Sequence, residues 1–218
     1  MQLAGTTSWR IAIDEPKSLL IALFVRDASG LRREAESDIP PLEPPVPLIN
    51  ASSANAIASR QWADWWRQLL EGGGFWPDDK RPSDLARLIQ DPEIQRLFYW
   101  PTRHLPPDFD GLSGMPELQD LARLHFEGAR VWSEARHREF VALSTAPQRA
   151  LLESEVVGIV ERGMRRRARP FSFDIRILPV AGVRSWRLSS ERALVTRDLF
   201  GDRAAYLEWL RPIVQALA

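Results

Sequence analysis

Chemistry in this chain has few residues to draw on, because only three histidines, His104, His125 and His137, and no cysteine occur among its 218 residues. The segment Thr102-Arg103-His104-Leu105-Pro106-Pro107-Asp108-Phe109-Asp110-Gly111 brings one imidazole and two carboxylates into a short polar stretch. That combination is what a hydrolase uses for acid–base work or for holding a divalent ion. It does not match a Ca²⁺ loop: the glycine comes too early, and the twelfth position counted from Asp108 is Gln119 rather than glutamate. The favoured reading is a turn in which aspartates accept from backbone amides.

Glu134 and His137 have the Glu-x-x-His spacing that places a carboxylate and an imidazole on one helix face, as in di-iron bundles. The matching half is missing, since Ala122 stands three residues before His125. Glu134 and His137 therefore read as a surface pair. His125 falls in an apolar helical stripe near Gly128, where another element would approach closely, and no serine-nucleophile motif accompanies it. It reads as a core histidine that needs a hydrogen-bond partner. The expectation is accordingly no catalytic residue, no metal ligand and no cofactor, with His104, Asp108 and Asp110 kept as the enzyme alternative.

Binding chemistry is better represented. Arg162, Arg165, Arg166, Arg167 and Arg169 crowd the C-terminal end of an apolar-striped segment. Cations are favoured there by the helix dipole, and the same cluster would receive an acidic protein or a nucleic-acid phosphate. Trp62, Trp65 and Trp66 fall on one face at helical spacing, which makes that face either a core wall or a docking surface. Most of the nine tryptophans read as core, and Trp66 and Trp76 are the expected partner-facing pair. Gly72-Gly73-Gly74 lacks the following Lys-Ser/Thr of a phosphate loop and reads as a helix stop.

Composition bounds these readings. Twenty-nine basic and 29 acidic residues balance, which argues against a protein coated for duplex DNA. Lys17 and Lys80 are the only lysines, an arginine bias of the kind GC-rich bacterial genomes impose. The start lacks a charged region ahead of an apolar stretch, and the apolar run Leu19 to Val25 is far shorter than a membrane span. A cytoplasmic protein without membrane contact is expected.

The elements that would position these groups follow from periodicity. Residues Ser8 to Ile13 and Ser18 to Val25 flank a turn-like Asp14-Glu15-Pro16-Lys17, which predicts a hairpin. Five prolines between Pro40 and Pro47 predict an extended strap, with Pro41, Pro44 and Pro47 along one polyproline edge. Helices are predicted from Ser52 or Ser53 to about Glu71, after Ser83, after Asp91, from Pro116 to about Leu143, and through Leu152 to Met164. Strands are predicted at Phe171 to Leu178, Trp186 to Leu188 and Ala193 to Thr196, with Asp202 capping a last helix that Pro212 would kink or shorten. The expected fold is one α+β domain over 1–218: a hairpin in 1–37, a strap in 38–50, helices in 51–168, and strands with a helix in 169–218. Both chain ends would share a small antiparallel sheet. The expected function is a non-enzymatic protein-interaction or assembly module, self-association included. A hydrolase at His104, Asp108 and Asp110 and a nucleic-acid-binding regulator using Arg162 to Arg169 are the alternatives.

Overall fold

The computed structural model describes residues 2–5, 9–31, 39–49, 56–71 and 109–218, the first of these as backbone only. Two compact units emerge, one from 1–20, 39–45 and 131–218, the other from 21–38 and 46–130. The helices predicted after Ser83 and Asp91 lie outside the described residues, as do His104, Asp108 and Trp76.

The first unit is built on a sheet that joins both ends of the chain, with helices supplying the middle of the sequence. Its strands are β1 (Gln2–Gly5), β2 (Trp9–Asp14), β3 (Phe171–Leu178), β4 (Ser185–Ser189) and β5 (Arg192–Thr196), in the order β1-β2-β3-β5-β4. Pairing is mixed rather than antiparallel throughout. β2 runs parallel to β3 with Ile11 beside Phe173, and β3 runs parallel to β5 with Ile177 beside Val195. Only the edges, β1 on β2 and β4 on β5, are antiparallel. Parallel neighbours need a long crossover, and the helical middle of the chain provides it between β2 and β3.

The predicted hairpin is the main correction. Its first strand exists as β2, but its partner is β1, and Ser18 to Val25 belong to helix α1 (Lys17–Ala28). Every residue from Leu19 to Val25 is buried, so the run is apolar all round because it is enclosed. A short, fully buried apolar run has no period that separates strand from helix. Pro16 at the helix entrance tips the balance: its carbonyl accepts from the amides of Leu19 and Leu20, at 3.0 and 3.2 Å.

The remaining helices are α2 (Ala56–Glu71), α3 (Pro116–Ser144), α4 (Leu152–Met164), α5 (Arg197–Gly201) and α6 (Arg203–Leu217). Asp202 accepts from the amides of Ala204 and Ala205 as an N-cap, and α6 continues through Pro212, held by buried Tyr206, Leu210 and Val214. Leu210 and Val214 share one buried cluster with Ile11, Ile13, Phe173, Ile175 and Val160. Removing each such side chain from water contributes about 2 kcal/mol, which is what holds α4 and α6 to the sheet. The strap meets the chain after β3: Leu42 bridges Val180, the Glu43 amide donates to the Pro179 carbonyl at 2.9 Å, and Pro41 and Pro44 stay exposed.

In the second unit, Trp62, Trp65 and Trp66 of α2 are all buried. Trp62 donates through Nε1 to the Ala22 carbonyl at 2.7 Å and stacks on Trp66 with ring centroids 5.5 Å apart. Gln61 holds the start of α3, accepting from the Leu118 amide at 2.9 Å. The close approach expected at Gly128 is real: a Cβ there would lie 3.2 Å from Cζ of Phe24.

Candidate functional site

Of the enzyme alternative only Asp110 is described. It is exposed and opens a single 3-10 turn after Phe109, which has a left-handed backbone, and its carbonyl accepts from the Ser113 amide at 3.1 Å. No group of three or more metal-capable side chains occurs among the described residues. His125 is 3% exposed, and Nε2 has no hydrogen-bond partner. Burial pushes its pKa below the ordinary histidine value, so it stays neutral at physiological pH. His137 packs its ring beside Phe140, with Nδ1 buried and unpartnered.

Trp66, expected to face a partner, is 5% exposed and stacked on Trp62. A ring so enclosed presents almost no area for docking. The large apolar residues that are exposed among the described ones are aliphatic, Leu124 and Leu151 among them, and none is aromatic.

The arginine run, by contrast, forms an exposed ridge. Arg162 lies in the last turn of α4, and Arg165, Arg166, Arg167 and Arg169 follow on the surface. The helix closes in a Schellman turn: the Arg165 amide donates to the Arg162 carbonyl and the Arg166 amide to the Glu161 carbonyl, both at 3.3 Å. Arg165 occupies the left-handed position of that turn, with φ 54°, where glycine would fit without strain. Arg166 is steadied by carbonyls, with Nη1 donating to Ala218 at 2.8 Å and to Arg167 at 3.2 Å.

The ridge concentrates positive charge with little counter-charge. Several other arginines are neutralised at short range: Arg136 with Glu139 at 2.6 Å, Arg149 with Glu153 at 2.9 Å, Arg203 with Glu155 at 2.5 Å. On the ridge, the single ion pair among the described residues is Arg167 to Glu161 at 3.9 Å, and the Arg167 side chain is 93% exposed. A contact so long and so wet contributes little.

A second constellation escaped the sequence reading. Where β2 and β5 end, Glu15 is fully buried against Arg197, which donates to its Oε1 through Nη2 and, at 2.8 Å, through Nε. The same guanidinium reaches α3, donating to Oε2 of Glu139 at 2.9 Å and to the Arg136 carbonyl at 2.5 Å. Oε2 of Glu15 is buried without a hydrogen-bond partner. Burial is the main reason that the Glu15 pKa rises from 4.5 to about 7, with Arg197 opposing the rise and Glu139 and Asp14 adding to it. Glu15 and Arg197 stand 182 positions apart, so no local motif announces the pair. The one available signal is a carboxylate at the junction of an alternating strand and an apolar run.

Comparison with protein-family models, with curated proteins and with solved structures finds no match for this chain.

Proposed function

We propose that the chain is a non-enzymatic interaction module that docks an acidic protein segment on the arginine ridge. The observation that carries the reading is concentration: five exposed arginines lie within eight residues, and their single ion pair among the described residues is Arg167 to Glu161 at 3.9 Å. A guanidinium is a fixed fork that takes a carboxylate through two parallel hydrogen bonds, so a run of them suits a row of Asp and Glu side chains. The strain at Arg165 supports the same reading. A left-handed arginine costs about 1 kcal/mol relative to glycine, a cost retained where the side chain has a use.

An acidic protein is favoured over nucleic acid for two reasons. The tryptophans of α2 are buried, and the exposed large apolar residues among the described ones include no aromatic ring on which bases would stack. Formal charge is zero, without the basic surplus that follows a duplex backbone. No helix among the described residues is long and apolar enough to cross a membrane. The absence of cysteine suits work in a reducing cytoplasm.

The test is fluorescence anisotropy of a labelled acidic peptide, a run of alternating Glu and Asp, titrated with the full chain. Binding that weakens steeply with salt and is lost in the combined Arg165→Ala, Arg166→Ala, Arg167→Ala variant supports the reading. Equal binding by that variant removes it, and tighter binding of an oligonucleotide of the same length transfers the ridge to nucleic acid.

A further inference from the structure

We propose that Glu15 and Arg197 form a proton-operated latch at the carboxyl ends of β2 and β5, closed while Glu15 carries a proton and loosened when it ionises. The proposal stands on how fully Glu15 is enclosed and how unevenly its two oxygens are served. The side chain of Glu15 has no exposed surface and that of Arg197 is 14% exposed. Three carboxylates act there: Asp14 at the end of β2, Glu15 after it, and Glu139 from α3. Three guanidiniums answer them: Arg197 from the β5–α5 junction, Arg136 from α3, already engaged with Glu139, and Arg176 of β3, beside Asp14 in the sheet. None of the three donates to Oε2 of Glu15, whose Oε1 alone is served.

Of the three carboxylates, Glu15 is the one placed to hold a proton. It belongs there because Glu15 is the most enclosed of the three and because its Oε2 has no donor facing it. A buried carboxylate oxygen without a donor is costly when charged and much less so as a hydroxyl. When Glu15 ionises, the unmet charge demands either water or a larger share of Arg197, which is also committed to Glu139 and to the Arg136 carbonyl. Either response loosens the same joint, made of the first turn of α1, the first turn of α5 and the segment of α3 that carries Arg136 and Glu139. The amides that report it are Leu19 and Leu20, bonded to the Pro16 carbonyl, and Leu199, bonded to Oγ1 of Thr196.

The experiment is amide hydrogen exchange on the full chain between pH 5.5 and 8.5, corrected for intrinsic exchange, beside a ¹³C-carboxyl titration of Glu15. The latch requires protection at Leu19, Leu20 and Leu199 to fall by roughly tenfold across neutral pH, with the midpoint at the Glu15 titration. In Glu15→Gln that fall should vanish. In Glu139→Gln, where Arg197 serves a single carboxylate, the midpoint should move to lower pH. A Glu15 carboxyl that titrates below pH 5, a pH-dependent loss of protection that persists in Glu15→Gln, or an unmoved midpoint in Glu139→Gln each overturns the proposal.

Discussion

Arg197 meets Glu15 through Nε at 2.8 Å, yet only one of the two carboxylate oxygens is served, and the other is buried without a partner. Half of an ion pair is thus satisfied and half is stranded. The folded state consequently binds the Glu15 proton more tightly than the unfolded chain does, with its pKa raised from 4.5 to about 7. A raised carboxylate pKa contributes stability that is complete below pH 4.5 and is lost as pH rises through about 7. The difference across that window is on the order of 3 kcal/mol. Glu15→Gln should abolish it, so that above pH 8 the variant is at least as stable as the parent chain in urea unfolding. A variant destabilised at pH 8 and unchanged at pH 5 would show that the charged pair is favourable and would reverse the sign.

Arg165 separates strain from use. Arg165→Gly relieves the left-handed backbone at φ 54° and should raise stability by about 0.5–1 kcal/mol while weakening the acidic-peptide complex. Arg165→Ala should weaken the complex equally without the gain. Thermal melts paired with anisotropy read both quantities, and a Gly variant that melts earlier than the parent would contradict the account of the turn.

The buried Arg149 makes a complementary case. Its guanidinium donates to Oε1 of Glu153 at 2.9 Å and to the Phe200 carbonyl at 3.0 Å, and it lies 3.8 Å from the Phe200 ring centroid. Tyr206 donates to the same Oε1 at 3.0 Å, and burial, reinforced by the Glu153 charge, drives its own pKa well upward. Arg149→Met leaves Glu153 charged and enclosed, a loss of about 3–5 kcal/mol. Arg149→Met with Glu153→Leu should recover most of that. Additive losses in the double variant, measured by urea unfolding, would mean that the two side chains act independently.

Trp66 carries the expectation that the structure least supports. Buried and stacked on Trp62, it should cost about 3–5 kcal/mol on truncation to Ala. A partner-facing ring would cost far less, and an unchanged melting temperature in Trp66→Ala would restore it to the surface.

What could be read in the sequence follows from the range of the forces involved. Phe171 to Leu178 lies where its alternation puts it, with Phe173, Ile175 and Ile177 in the buried cluster, although Arg176 and Leu178 on the opposite face are buried as well. The span from Pro116 to Ser144 and the Asp202 cap are equally local. Ser18 to Val25 misled because enclosure on all sides erases periodicity. The parallel joint of β2 with β3 depends on a crossover through the helical middle, which no window of residues contains, and that of β3 with β5 on a return through β4. The ridge was legible because its arginines are contiguous. Arg165 in a glycine position was not, nor was the side of α2 that turned inward, since the spacing of Trp62, Trp65 and Trp66 suits a core and a docking face alike.

The most direct measurement is a backbone NMR titration of the full chain with the acidic peptide at low salt. The account predicts shifts confined to the amides from Arg162 to Arg169 and their immediate neighbours, saturating together and vanishing at high salt. Shifts centred elsewhere, or none at peptide concentrations that bind the arginines of a control polymer, would contradict it.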